Sequence, residues 1–380
     1  MCPTLKGHPA ATVARAAIRS LVVPMLIVHD YAYEFGGAER VTAALACAFP
    51  QARLLAVGGN DHVFERMGVL ERVETVLARG RFERSYRSLA PIMPRLVRRT
   101  VDDVVVSSSY AFAHHVRSTT LHVEYCHSPV RQLWIAEERY RETSGLALRI
   151  GMRVFGASLR SADRAAVSGA DVIVSSCENV RERVRRIYGR ESEVVYPPVS
   201  LAAFSPAPVE RERDLLVLVG RLVEPYKQIR SVLDTFRTRK ERLVVVGGGR
   251  DAGVLHAQSP PNVTFIGRAD DSELRTWYSR AAAVLFPSED DFGIVPVEAM
   301  ACGTPVVALD AGGARETVVH GLTGFRYPKP ELLSSTLDAA LAAEWDHEAI
   351  RQRAFDFDSS VFIERMQHII RTAGVPASGG

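Results

Sequence analysis

The sequence predicts an α/β fold made of two doubly wound parallel-sheet domains facing a central cleft. Three observations carry that expectation. Short, continuous Val/Ile/Leu runs alternate with longer helical patterns along the chain, as strands buried on both faces do. The 380 residues exceed what one ordinary core holds. A proline-rich stretch from Tyr196 to Pro208 then divides the runs into two sets of similar size.

In order, the first set of strand-like runs is Met25–Val28, Ala52–Val57, Asp103–Ser107, Leu121–Tyr125, Val172–Ser175 and Glu193–Tyr196. The second is Leu215–Val219, Leu243–Val246, Val263–Ile266, Ala283–Phe286 and Pro305–Ala308. Residues 21–200 are expected to form the first domain and 208–350 the second. A last helix over about 359–375 is expected to pack back and complete the first. Residues 1–20 read as an extension carrying Lys6, Arg15 and Arg19. They precede an apolar run with no small-residue cleavage site, so a strand is expected there and Met25 is an alternative start.

Composition narrows the class. The chain is 47% hydrophobic and 24% charged, with a formal charge of +3, which gives no electrostatic case for nucleic acid. No apolar run approaches the roughly 20 residues that span a bilayer. The five cysteines are scattered with no C-x-x-C pair, so neither a disulfide framework nor a zinc site is expected, and a cytoplasmic setting fits.

Several motifs sit where a strand ends. Glu34-Phe-Gly-Gly-Ala-Glu-Arg40 puts Gly36 and Gly37 at a strand-to-helix turn, where backbone amides can approach an anion; a plain glycine turn is the alternative. The helix after it is read as Val41–Phe49. Gly220-Arg-Leu-Val-Glu-Pro-Tyr-Lys227 places two cations, Arg221 and Lys227, where a diphosphate could be held. Val246-Gly-Gly-Gly-Arg250, with Gly248 at its centre, allows close backbone approach or simple flexibility. Tyr125-Cys-His127 sets one histidine past a strand of the first half. Last, Asp290-Asp-Phe-Gly-Ile-Val-Pro-Val-Glu298 embeds a carboxylate in an apolar run. Burying one costs several kcal/mol unless a partner or a ligand compensates.

Taken in order, "HDYAYEFGGAER", "YCHSPVRQLW", "VVYPPV", "GRLVEPYKQI" and "EDDFGIVPVEAMACGTPVVA" resemble the retaining nucleotide-sugar glycosyltransferases of family 4, bacterial cell-surface polysaccharide and mannosyltransferase type. The resemblance runs from about Leu26 to the C-terminal helix. It implies the GT-B fold, two Rossmann-like domains. It also implies that Arg221 and Lys227 hold the donor diphosphate and that Gly37 gives it an amide. Glu298 would take the ribose hydroxyls. Asp290 would meet the transferred sugar, with Phe292, Gly293, Ile294 and Val295 of the same run along the donor. The family has Glu at position 290, so this chain reaches one methylene less far there, with Glu289 as a substitute through a register shift. His127 would lie beside the sugar. Gly267-Arg-Ala-Asp-Asp271 would line the base pocket, where Asp271 could read guanine; both aspartates could equally start a helix. The family uses neither metal nor pyridoxal phosphate.

The resemblance implies a hexosyl transfer from a nucleoside-diphosphate sugar, GDP-mannose ahead of a UDP-hexose, to an acceptor hydroxyl in polysaccharide or glycolipid assembly. A small acceptor such as an aminocyclitol is the alternative. A sugar-nucleotide epimerase and a non-catalytic sugar-nucleotide sensor follow at a distance. The basic, aromatic-rich stretch 79–99 could contact the inner face of an anionic membrane, or pack on its own domain.

Overall fold

The computed structural model describes residues 24–80, 89, 92–134 and 146–374, side chains of 146–153 excepted. The expected extension, residues 81–88 and 90–91 of the basic stretch, and the extreme C-terminus lie outside the described residues. The chain divides into two units: Met1–Pro198 with Phe362–Gly380, and Val199–Val361.

Unit 1 contains strands β1 (Met25–Ala32), β2 (Arg53–Gly59), β3 (Val73–Thr75), β4 (Arg99–Val101), β5 (Val104–Ser109), β6 (Val116–Ser118), β7 (His122–Cys126), β8 (Val172–Ser175) and β9 (Glu193–Val194). Seven form a parallel sheet in the order β3-β2-β1-β5-β7-β8-β9, while β4 and β6 pair separately. β1 runs four residues past the expected end, so His29 and Asp30 lie within it. The two polar side chains are held inside by hydrogen bonds to Thr42 of the following helix and to the amides of Tyr110–Ala113.

Both faces of this sheet are covered, as its runs predict. Ile27, Leu54, Val106 and Val123 share one core with helix α1 (Gly37–Ala48), and Leu26, Val28, Leu55 and Val105 face the other. α1 begins four residues before its expected start. Glu39 accepts the Gly36 amide at 2.8 Å and closes the first turn over the two glycines. Its C-terminal end is tied by Arg72, whose guanidinium donates to the carbonyls of Ala46 and Pro50 at 2.7 Å. Arg190 does the same after α2 (Leu146–Val167), donating to the Ala170 carbonyl at 2.9 Å.

Unit 2 contains β10 (Glu212–Val219), β11 (Arg242–Val246), β12 (Val263–Gly267), β13 (Ala281–Phe286), β14 (Val306–Leu309) and β15 (Gly324–Tyr327), all parallel, in the order β12-β11-β10-β13-β14-β15. β15 was missed because its four residues include a glycine and an arginine. Its helices include α3 (Ile229–Phe236), α4 (Asp271–Arg280) and α5 (Ile294–Ala301). The final helix α6 (Ser359–Ala373) begins in unit 2 and belongs to unit 1 from Phe362 onward. There Phe362, Met366, Ile369 and Ile370 are buried in the same core as α1, at about 1.5–3 kcal/mol each.

Candidate functional site

In each sheet the strand order reverses direction at one point, and loops leaving the carboxyl ends of the two strands there diverge to leave a crevice. In unit 2 that point lies between β10 and β13. The segment after β10 carries Gly220, Arg221 and Lys227; the segment after β13 carries Asp290 and leads into α5 with Glu298. Sheet topology therefore brings together residues that the sequence separates by about 70 positions.

Local chemistry fixes these loops. Gly220 and Leu222 donate their amides to the carbonyls of Val246 and Gly248 at 3.0 and 2.9 Å, and the Asp251 amide returns to the Leu222 carbonyl at 3.1 Å. A Cβ on Gly247 would meet the Gly220 carbonyl oxygen at 1.9 Å, and one on Gly249 the Leu222 carbonyl oxygen at 2.3 Å. Two of the three glycines are thus required by this pairing of loops; Gly248 faces Arg268 instead. Glu224 accepts from the amides of Ile229 and Arg230 and anchors the start of α3 beside Lys227.

Lys227 Nζ lies 2.6 Å from Asp290 Oδ2, both side chains being largely buried. The Asp290 carbonyl accepts from the Gly313 amide at 2.9 Å, and Gly312 and Gly313 lack the Cβ atoms that would strike the Asp290 and Phe292 carbonyl oxygens. Gly293 has φ 79° and packs on the Phe286 ring, a conformation that other residues adopt only with strain. Phe292 is buried, Ile294 and Val295 half-buried, and Arg221 exposed. Glu289 is exposed, and Asp290 is the acid that faces the lysine.

Glu298, 4% exposed, accepts from the Tyr278 hydroxyl at 2.9 Å. Its place in an apolar run therefore has a partner within the protein, and a ligand is not needed to explain it. Asp270 accepts from the Glu273 amide and Glu273 from the Asp270 amide, a reciprocal cap on α4. Asp271 is half-buried in the first turn.

In unit 1 the reversal lies between β1 and β5. Gly36 and Gly37 follow β1, and Gly37 opens α1, where amides lack an intrahelical acceptor. His127 follows β7, the neighbour of β5. Its Nε2 is 2.8 Å from Ser108 Oγ, and its backbone amide donates to the Ser109 carbonyl at 2.9 Å. Burial of the ring, reinforced by His29, depresses its pKa to about 3, so the imidazole is neutral at physiological pH. The Ser128 hydroxyl beside it is buried with no hydrogen-bond partner among the described residues.

The sequence reading missed the residues that hold this loop cluster. Asp30, fully buried, accepts from the amides of Tyr110, Ala111, Phe112 and Ala113 at 2.6–2.8 Å and so fixes the segment after β5. His114 lies 3.0 Å from Asp163, which also accepts from Trp134 and Tyr188. Burial alone would depress His114, but Asp163 and the charges of Glu124 and Asp30 outweigh it and push its pKa up to about 9. His114, His115 and Asp163 place donor atoms within 4.8 Å of one another; both His114 nitrogens and both Asp163 oxygens are already hydrogen-bonded. One signal was available: three consecutive serines, Ser107–Ser109, in a strand whose neighbours are apolar.

Residues 213–343 match the family described as Glycosyl transferases group 1. The chain is 29% identical over 268 residues to a D-inositol 3-phosphate glycosyltransferase of Jonesia denitrificans, covering 58% of this chain and 63% of that protein. It is 31% identical over 229 residues to the protein of the same name from Frankia alni, covering 51% and 56%. The chain thus spans about six-tenths of the length of the curated relatives it matches. Among solved structures, Anabaena HepE in complex with UDP superposes with a TM-score of 0.67 at 16% identity, over 92% of this chain and 100% of that one. Sucrose-phosphate synthase from Thermosynechococcus elongatus superposes with a TM-score of 0.66 at 18% identity, over 92% and 98%. No helix among the described residues is long and apolar enough to cross a membrane. The chain has the GT-B fold, and its residues 213–343 match the group 1 glycosyl transferases.

Proposed function

We propose that the protein is a retaining, metal-independent hexosyltransferase that uses a nucleoside-diphosphate sugar. The observation that carries this reading is the set at the reversal point of unit 2: Arg221 and Lys227 from one side, Asp290 and Glu298 from the other. Two cations match a diphosphate, and carboxylates accept paired hydroxyls. In the reaction the bond from the sugar C1 to the diphosphate oxygen breaks, and a bond from C1 to the acceptor oxygen forms on the same face. The acceptor proton goes to the departing phosphate oxygen. Arg221 and Lys227 stabilise the charge that develops there, so no divalent cation is required. His127, neutral, offers a hydrogen bond to the transferred sugar.

Lys227 must leave Asp290 to meet phosphate, which frees that carboxylate for a sugar hydroxyl. Donor binding thereby exchanges one partner for another at both residues. The base reading rests on Asp271, since Asp270 spends its carboxylate on the helix cap. We retain GDP-mannose as the first donor to test, with UDP-hexoses beside it because HepE was solved with UDP. The acceptor in our reading is a hydroxyl of a growing polysaccharide or glycolipid. A phosphorylated cyclitol is the second reading, favoured by the name that the curated relatives share.

Membrane contact through 79–99 is kept only in reduced form. Met93 and Val97 are fully buried in their own unit, while Ile92 and Leu96 are 47% and 45% exposed beside Arg95, Arg98 and Arg99. The deciding experiment is a donor panel scored by nucleotide release, with and without EDTA and with both acceptor classes. Release from at least one donor that survives chelation supports the reading. Release that needs added Mn²⁺ or Mg²⁺ defeats the metal-independent mechanism, and no release from any donor defeats the transferase.

A further inference from the structure

We propose that Asp251 and Arg250 are positioning residues for Lys227. They grip the backbone of Glu224 at its amide and at its carbonyl, so the lysine backbone stays fixed while its side chain passes from Asp290 to the donor. The grip stands on unit 2 alone, and its bearing on transfer rests on the function proposed above.

Asp251 occupies the N-cap of the short helix Ala252–Ala257, where an aspartate ordinarily caps its own first turn. Here its side chain makes no such cap. Asp251 Oδ2 accepts instead from the Glu224 amide at 2.7 Å, 27 positions away in the chain. The same oxygen accepts from Arg250 Nε at 3.1 Å, and Arg250 Nη2 donates to the Glu224 carbonyl at 2.6 Å. The Glu224 amide first, and Arg250 after it, hold the Asp251 carboxyl below its ordinary range, so it is an anion at neutral pH.

Glu224 carries that hold past the lysine. Its Oε1 accepts from the amides of Ile229 and Arg230 at 2.6 and 3.2 Å. It therefore caps α3 in place of Gln228, the N-cap residue, whose own side chain makes no cap. Within the span, the Lys227 amide donates to the Val223 carbonyl at 3.0 Å and the Gln228 amide to the Pro225 carbonyl at 3.3 Å. Gln228 has φ 50°, the one positive φ outside glycine among the described residues. A residue with a Cβ keeps that conformation only where its surroundings over-determine it. Residues 225–228 are thus a closed loop with both ends held, and Asp251 and Arg250 hold the first end. Lys227 Nζ, 2.6 Å from Asp290 Oδ2 and 5.3 Å from the Tyr226 ring centroid, sits on a flexible stem that turns without the backbone.

The test uses the full-length protein with Asp251→Ala, Asp251→Asn and, because its side chain is exposed and its loss leaves folding intact, Arg250→Ala. In Asp251→Ala, hydrogen exchange at the amides of Glu224, Lys227 and Ile229 should rise at least about tenfold, with unit 1 unchanged. Asp251→Asn keeps an acceptor for the Glu224 amide and should lose far less. Unchanged protection at these amides in both alanine variants overturns the grip. In donor turnover well below the melting temperature, Asp251→Ala should lower kcat about tenfold with KM for the donor within about threefold. Arg250→Ala should lower kcat about threefold, and Asp251→Asn should restore most of what Asp251→Ala loses. Wild-type kcat in both alanine variants, or an asparagine variant no better than alanine, overturns the positioning role. If the wild-type protein turns over no donor while exchange changes as expected, the proposed function fails and the grip stands.

Discussion

The two reversal points are furnished in opposite ways. In unit 2 the polar groups are charged and lie on loops: Lys227 with Asp290 as a largely buried pair, and Arg221 exposed. In unit 1 they are mostly neutral, buried and linked in series from His29 to His127. A charged pair can be separated by a ligand that offers each member a replacement partner, because neither charge is then left unpaired. A buried neutral chain cannot be opened cheaply, because each freed hydroxyl or ring nitrogen is left without a partner. The first arrangement suits exchange of partners with a polyanion, the second suits holding one geometry.

The largest test of this contrast is removal of the cations. Lys227→Ala and Arg221→Ala should each lower turnover on the order of 10²-fold, the usual loss for a transition-state donor, while folding is kept. Initial rates measure this, and near-normal rates in both variants would move the phosphate elsewhere. Acid should then separate the units. Burial depresses His115, His122 and His127 to about 3, so their contribution is full above pH 6.5 and is lost as pH falls from 6.5 toward 3. Glu124, raised to about 7 by burial, works in the reverse sense between 4.5 and 7 and offsets one of them. Each fully shifted group contributes at most about 1.4 kcal/mol per pH unit, and the partly exposed His127 less. Hydrogen exchange at pH 5 against pH 7 should show unit 1 losing protection before unit 2; equal losses would refute the contrast.

Glu298 comes next. Glu298→Ala removes a buried acceptor of the Tyr278 hydroxyl, at about 1–3 kcal/mol, and should lower both the melting temperature and nucleotide affinity. Glu298→Gln keeps an acceptor for Tyr278, so it should melt near wild type and weaken only the nucleotide. Calorimetry with a bare nucleoside diphosphate decides this, and unchanged affinity in both would leave Glu298 a purely internal partner. The smallest effect is expected at Asp290. Asp290→Asn removes the anion that competes for Lys227 and should tighten inorganic pyrophosphate by up to about fivefold, while slowing sugar transfer. Weaker pyrophosphate binding would mean that the pair does not have to open.

The same contrast explains what could be read in advance. Unit 2 was legible because each of its cues is contiguous: a glycine-cation segment after one strand, an acid-bearing segment after another. Some of those cues also carry a structural reason. Gly247 and Gly249 serve loop packing, and Glu298 and Asp270 have partners inside the protein. Unit 1 was legible in most strands of its main sheet and in His127, but not in the residues behind it. The hydrogen bonds there join residues 13, 66 and 19 positions apart, so no local window contains them. Asp30 was invisible for the same reason, since it holds amides about 80 residues away.

The passage of α6 from one unit to the other bears on the order of assembly during synthesis. Unit 2 is complete in sequence once Val361 has been made, whereas unit 1 lacks Phe362, Met366, Ile369 and Ile370 until residue 370 has followed. At roughly 5–20 residues per second, the ribosome takes about 8–30 s to make the stretch from Val199 to Val361. Throughout that interval the nascent first unit exposes an apolar strip that nothing yet covers. The half of the molecule made first is therefore the half finished last, and stalled nascent chains ending at 361 should bind a holdase chaperone through it. Chains released after 374 should not, and equal capture of both would contradict this order.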